Sequence, residues 1–235
     1  MGGFFSYDSK PMQILMFLGD LVILNLLYLL CCIPIFTIGA AQAGLFTACK
    51  VLLDKEDDSS PAAAFWRGFT SGFGTVTLAW GIMTIATLLV IWMAISAIDL
   101  NGAVWLSWIA MGLMFVFQTM VPAFHSRFGC KWWQLITNSW FLLFAHPLRT
   151  IGSTILIWIP GILLIGSFAA KEIYDMLALT PIWGTLYFST VFCFATSFLR
   201  KPFKTLTDHY NEVHGIKPEA ETEALPEETE EAPVE

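Results

Sequence analysis

The chain has 235 residues, of which 56% are hydrophobic and only 13% are charged. Soluble domains carry about a quarter charged residues, so this composition excludes an ordinary water-soluble globular protein. The net charge of −7 has a local origin, because eight Glu residues fall within residues 218–235. It therefore indicates an acidic terminal segment rather than an acidic binding face.

Long uncharged segments follow one another along the chain. They cover Leu21 to Cys49, Phe73 to Ile98, Gly102 to Phe124, Thr150 to Ala170 and Leu177 to Leu199. About 20 apolar residues of α-helix cross the hydrocarbon layer of a bilayer, whereas barrel strands alternate apolar and polar residues. The sequence therefore predicts an all-α, polytopic helical membrane protein of about six transmembrane helices, with the lipid bilayer as its first partner.

The first apolar segment contains "CCIPIFTIGA" and is too long for one span. Pro34 lacks a backbone donor and interrupts a helix, Thr37 can cap a new helix, and Gly39 permits a tight reversal. We predict a hairpin of two helices over residues 11–33 and 38–53. Because the second helix is short, a re-entrant segment is the alternative, and one overlong span is another.

The remaining spans are predicted over residues 73–98, 103–124, 151–170 and 181–199. Ahead of the fifth span, "WWQLITNSWFLLFA" places Trp132, Trp140 and Phe144 on one helical face. This pattern is typical of an amphipathic helix that lies in the membrane interface. We divide the chain into a helical transmembrane domain over residues 1–214 and an acidic tail over residues 215–235, which its Pro, Glu and Ala content predicts to be disordered.

The distribution of basic residues sets the orientation. With six spans, eleven Lys and Arg residues fall on one side of the membrane and Lys171 alone on the other. If the first two helices formed one span, ten Lys and Arg residues would fall on one side of the membrane and two on the other. By the positive-inside rule, the larger loops and both termini are predicted to be cytoplasmic in a cytoplasmic membrane.

Four polar residues lie in or near the predicted spans: Asp20, Asn25, Gln42 and Gln118. An ionisable group such as Asp20 is costly in hydrocarbon and points either to function or to a buried partner. The structural alternative is that Asp20 reaches the interface or stays protonated and hydrogen-bonded. Hydrogen bonds between helices account for the amides.

Four basic groups share the loop before the fifth span: His125, Arg127, His146 and Arg149. Together they are candidates for contacts with an anionic group such as a lipid phosphate or a sugar phosphate. The structural alternative is that they flank the spans and set the orientation.

No motif in the chain points to catalysis. The five Cys residues form no C-x-x-C pair, and there is no H-E-x-x-H, G-x-S-x-G or phosphate-binding loop. We therefore expect no enzyme activity, no catalytic residue, no metal site, no cofactor and no nucleic-acid partner. The Cys residues are expected to be buried free thiols.

Two stretches together resemble the YesL family, also called DUF624. They are "GDLVILNLLYLLCCIPIFTIGAAQAGLFTACKVL" at residues 19–52 and "FWRGFTSGFGTVTLAW" at residues 65–80. Members often carry a more basic second stretch, whereas this chain has only Arg67 there. The resemblance extends over roughly residues 3–214.

The resemblance implies a bacterial integral membrane protein of unestablished activity. Genes of this family typically lie beside genes for carbohydrate uptake and breakdown, which implies an accessory component of carbohydrate uptake and utilisation. A sugar-transporter permease, or a second copy of the chain, is the partner implied. The alternative is a small transporter or channel that acts on its own.

Overall fold

The computed structural model describes residues 10–54, 59–96, 104–129, 131–169 and 186–214. All the secondary-structure elements within these ranges are helices, which confirms the all-α prediction. The helices are α1 (Lys10–Cys31), a 3₁₀ turn (Ile35–Thr37), α2 (Ile38–Asp54), α3 (Pro61–Gly72), α4 (Thr75–Ser96), α5 (Val104–His125), α6 (Trp132–Ala145), α7 (Pro147–Ala169) and α8 (Phe188–His214).

The predicted break around Pro34 is confirmed. α1 ends at Cys31, Pro34 adopts an extended backbone with φ −78° and ψ 117°, and α2 begins after the 3₁₀ turn. The Thr37 hydroxyl donates to the carbonyl oxygen of Cys31 at 2.5 Å and to that of Pro34 at 2.6 Å. Thr37 therefore bonds the last carbonyl group of α1 and the carbonyl group of Pro34 in the turn, rather than capping α2 as predicted.

Helix α2 lies at the centre of the first compact unit, in contact with α1, α3, α4 and α5. Its small residues are all buried: Gly39, Ala40, Ala41, Ala43 and Gly44. A Cβ atom added to Gly39 would lie 2.6 Å from the Cβ of Trp80. Gly39 thus lies inside α2, where it makes room for α4. It does not form the tight reversal that the sequence predicted.

Helices α2 and α3 approach each other through glycines on both sides. A Cβ atom on Gly68 would lie 2.7 Å from the Cβ of Thr47 and 2.9 Å from the Cα of Gly44. A Cβ atom on Gly44 would lie 2.8 Å from the carbonyl oxygen of Phe65. Because real Cβ atoms do not approach so closely, only glycine at both positions allows this contact.

Four segments are long and apolar enough to cross a membrane: Lys10–Cys31, Ile35–Asp54, Thr75–Met93 and Trp108–His125. The segments Trp132–Ala145 and Pro147–Trp158 add a fifth if they are taken as one span bent by 112°. The polytopic helical architecture is therefore confirmed. The predicted sixth span begins at residue 181, outside the described residues, so the number six stays a prediction.

Helix α6 is the predicted Trp-rich amphipathic helix. Trp132, Trp140 and Phe144 are exposed, while Leu135 and Ser139 on the other side are buried. The Trp140 ring also packs 4.5 Å from the ring of Phe117 on α5. Trp132 and Phe144 thus point away from the packed helices, whereas Trp140 also contacts α5. The position of α6 in the membrane interface stays a prediction.

The chain divides into two compact units, Met1–Leu199 and Arg200–Glu235. In the described part of the second unit, the Thr205 and Thr207 hydroxyls donate to the carbonyl oxygens of Lys201 and Phe203. The division predicted after residue 214 stays a prediction, and the acidic tail lies outside the described residues.

The α2–α3 contact predicts that Gly68→Ala destabilises the protein. The added methyl group must displace the backbone of Gly44 or the side chain of Thr47, and overpacking of this kind costs about 1–3 kcal/mol. The measurement is thermal unfolding in detergent. The control is Gly81→Ala on α4, where nothing lies within 4 Å and alanine favours the helix by up to about 1 kcal/mol. Equal unfolding temperatures for the two variants would contradict the assignment.

Candidate functional site

Asn25 connects the first and last helices of the first compact unit. It is fully buried, and its side-chain oxygen accepts a hydrogen bond of 3.3 Å from the backbone N–H of Ser189. Ser189 is the second residue of α8, and residues 186 and 187 directly before the helix are helical as well. Asn25 therefore joins α1 to the N-terminal part of α8, a contact that the sequence did not reveal because the two residues are 164 positions apart.

Two thiols meet near the same junction. The sulfur atoms of Cys49 on α2 and Cys193 on α8 lie 3.0 Å apart, and both side chains are buried and free. The Cys49 thiol also donates to the carbonyl oxygen of Ser189 at 3.8 Å. The sequence placed both residues among buried free thiols but gave no signal of their proximity.

The two buried amides of α2 and α5 have different surroundings. The Gln118 amide nitrogen donates to the hydroxyl oxygens of Thr84 and Thr87, each at 3.3 Å, and so joins α5 to α4. Gln42 is also buried, but its side-chain oxygen has no hydrogen-bond partner among the described atoms. The indole nitrogen of Trp80 is likewise buried and has no hydrogen-bond partner among the described atoms.

Two polar contacts, together called the junction cluster, join the C-terminal end of α5 and the residues after it to α2 and to α3: they pair Asp54 with Arg127 and Ser71 with His125. Arg127 and Asp54 form an ion pair of 3.9 Å, with side chains only 17% and 7% exposed. The His125 ring nitrogen Nε2 lies 3.5 Å from the Ser71 hydroxyl. Its Nδ1 atom is buried and has no hydrogen-bond partner among the described atoms.

The four basic groups predicted to contact an anion divide into two pairs. His125 and Arg127 belong to the junction cluster, which already contains the Asp54 carboxylate. His146 and Arg149 lie at the bend between α6 and α7 and are partly buried. A single anion site made of all four residues stays a prediction.

Asp20 lies near the middle of α1, and it is partly buried. Its carboxylate has no hydrogen-bond or ion-pair partner among the residues that the structure describes. The apolar residues on either side, Leu18 and Ile23, are 41% and 49% exposed. Asp20 is thus placed beside the surface of the helix bundle and does not meet Asn25, whose side chain points to α8.

An apolar groove of about 510 Å³ runs between α5 and α7. It is lined mainly by aliphatic and aromatic side chains, among them Ile109, Leu113, Val116, Ile155 and Trp158. The Trp158 indole nitrogen donates to the Thr119 hydroxyl at 2.9 Å. Within the described ranges, no three His, Cys, Asp or Glu side chains lie close enough together to hold a metal ion.

Apolar helices joined by a few buried polar contacts define a polytopic helical membrane protein. Residues 21–94 match the model of a family described as "Protein of unknown function, DUF624". This match confirms the resemblance to the YesL family over that segment, which contains most of the first quoted stretch and all of the second. No curated protein and no solved structure matches the chain.

The contact between Asn25 and Ser189 predicts that Asn25→Ala lowers stability by about 1–3 kcal/mol, because a buried backbone N–H loses its acceptor. The matched control is Gln13→Ala on the exposed part of the same helix, for which we expect a change within about 0.5 kcal/mol. Unfolding temperatures in detergent compare the two. A loss no greater than that of the control would show that Asn25 does not support α8.

The ion pair in the junction cluster predicts non-additive effects of Asp54→Asn and Arg127→Gln. Because each side chain is largely buried, removing either one takes this opposite charge away from the other. We expect a coupling energy of about 0.5–3 kcal/mol from a double-mutant cycle of unfolding free energies. Strictly additive losses would show that the two charges do not interact.

Proposed function

We propose that this protein is a non-catalytic accessory of a carbohydrate uptake system in the bacterial cytoplasmic membrane. It acts through lateral contact between α1 and a helix of a sugar-transporter permease. The single observation that carries the proposal is the position of Asp20, a carboxyl group without a described partner that follows the exposed N-terminal half of α1. The link to carbohydrate uptake comes from the resemblance to the YesL family.

The N-terminal half of α1 is largely uncovered by the other described helices. From Gln13 to Gly19 each residue is exposed, and the buried side chains of α1 begin only at Leu21. Ile14 and Leu15 are 61% and 62% exposed. A helix that is apolar on all sides is covered by lipid or by another protein, so this half of α1 offers a surface for a neighbouring membrane helix.

Asp20 gives that surface a chemical preference. A carboxylate within an apolar membrane helix costs about 2.5–3.5 kcal/mol by insertion scales, and pairing relieves this cost. The neighbouring helix is therefore expected to carry a Lys, an Arg or a strong hydrogen-bond donor at the depth of Asp20. Charge complementarity makes a specific partner helix a better occupant than lipid chains alone.

The orientation proposed for the membrane has both termini in the cytoplasm. Eleven basic residues against one support it under the positive-inside rule. It also puts Asp54 and Arg127, which are joined by an ion pair, on one side of the membrane, as two loops on the same face require.

A small transporter is the second candidate function. Transporters commonly place their substrate sites beside interrupted membrane helices. Here the break at Pro34 is followed on α2 by Gln42, whose side-chain oxygen is buried without a described partner. The same α2 helix contacts α4 at Trp80, whose indole nitrogen is also buried without a hydrogen-bond partner among the described atoms.

The test is recovery of partners from native membranes by chemical crosslinking and a mild-detergent pull-down, read by mass spectrometry. We expect a sugar-transporter permease with the unmodified chain. With Asp20→Asn we expect about tenfold less permease, which corresponds to about 1.4 kcal/mol. The matched control is Asp8→Asn, which removes an acidic group two positions before α1 in the sequence and should leave recovery unchanged.

Two results would overturn parts of this proposal. Equal recovery with Asp20→Asn would remove Asp20 from the contact while leaving the accessory role in place. Recovery of the protein alone, or only with copies of itself, would contradict the accessory role. Movement of a sugar or an ion by the purified, reconstituted protein would then support the transporter.

A further inference from the structure

The pair formed by Cys49 and Cys193 is held by contacts on both sides. The Phe46 ring, one turn before Cys49, packs 4.8 Å from the ring of Phe192. Ser189 lies one turn before Cys193. Its backbone N–H donates a hydrogen bond to the Asn25 side chain, and its carbonyl oxygen accepts one from the Cys49 thiol. The thiols of Cys49 and Cys193 therefore lie beside an aromatic contact and two hydrogen bonds that join α1, α2 and α8.

We propose that Cys49 and Cys193 are a redox modification site, at which a peroxide converts the two thiols into a disulfide that joins α2 to α8. The sulfur atoms are 3.0 Å apart, and a disulfide bond measures about 2.05 Å, so they need to approach by only about 1 Å. Residues so far apart in the chain acquire this geometry only through the packing of the two helices.

The reaction takes place in two steps that balance. One thiol attacks the peroxide, whose O–O bond breaks, and gives a sulfenic acid and one molecule of water when the oxidant is hydrogen peroxide. The second thiol then attacks the sulfenic sulfur. The S–S bond forms, the S–O bond breaks, and a second water leaves with the thiol proton. A dithiol reductant reverses the modification by thiol–disulfide exchange.

The structure assigns this site to Cys49 and Cys193 rather than to the other cysteines. Cys31 is the last residue of α1, and Cys32 follows it directly in the chain. Cys130 lies outside the described residues. Cys49 and Cys193 are the described pair whose sulfur atoms meet across two different helices.

The test uses the full chain with a protease cleavage site inserted after Gly129, between the two cysteines. Membranes are treated with hydrogen peroxide, the remaining thiols are blocked with a maleimide, and the protein is cleaved and run on a non-reducing gel. We expect the two fragments to migrate together after peroxide and apart after dithiothreitol. Cys49→Ser and Cys193→Ser should each abolish the linkage. The triple variant Cys31→Ser, Cys32→Ser, Cys130→Ser should retain it.

Fragments that separate after peroxide treatment of the unsubstituted chain would overturn the proposal. A linkage that persists in Cys49→Ser would do the same, because another cysteine would then be the partner. Mass spectrometry of the peroxide-treated unsubstituted chain guards against variants that do not fold. Digestion should yield a disulfide-linked pair of peptides that contain Cys49 and Cys193, and its absence also contradicts the proposal.

Discussion

The close approach of α2 to its neighbours is the constraint on which the first compact unit depends. Over Gly39 to Gly44 this helix has few side chains larger than a methyl group, so adjacent backbones come near enough for many short contacts. In lipid, where water does not drive helices together, such close packing is a main source of association energy. The glycines at positions 39, 44 and 68 each meet an atom that a methyl group would displace.

Polar side chains fix the register of this packing. Gln118 binds two threonines on α4, Asn25 binds the first turn of α8, and Asp54 pairs with Arg127. Each interaction joins elements that the chain itself separates, and each needs a particular register between two helices. Dispersion contacts between apolar surfaces tolerate a shift along the helix axis, but a hydrogen bond inside the bundle does not.

Much of the fold could be predicted from the sequence because hydrophobic segments in a membrane protein are long and Pro34 is a strong local signal. The helix ends of the hairpin agree with the prediction to within two residues. The roles of Thr37 and Gly39 could not be predicted, because they depend on which carbonyl group or which tryptophan lies opposite in space. The junction cluster and the thiol pair escaped prediction for the same reason, since their members come from different helices.

The Thr37 hydroxyl has a consequence for how the protein assembles. Its two acceptors, the carbonyl groups of Cys31 and Pro34, lie within six residues of it, so these hydrogen bonds of the reversal are entirely local. Contacts between residues so close in sequence form early, because little chain entropy is lost in making them. During synthesis, the α1–α2 pair can therefore fold as soon as it has entered the membrane. It then provides the surface against which α3 and α4 pack.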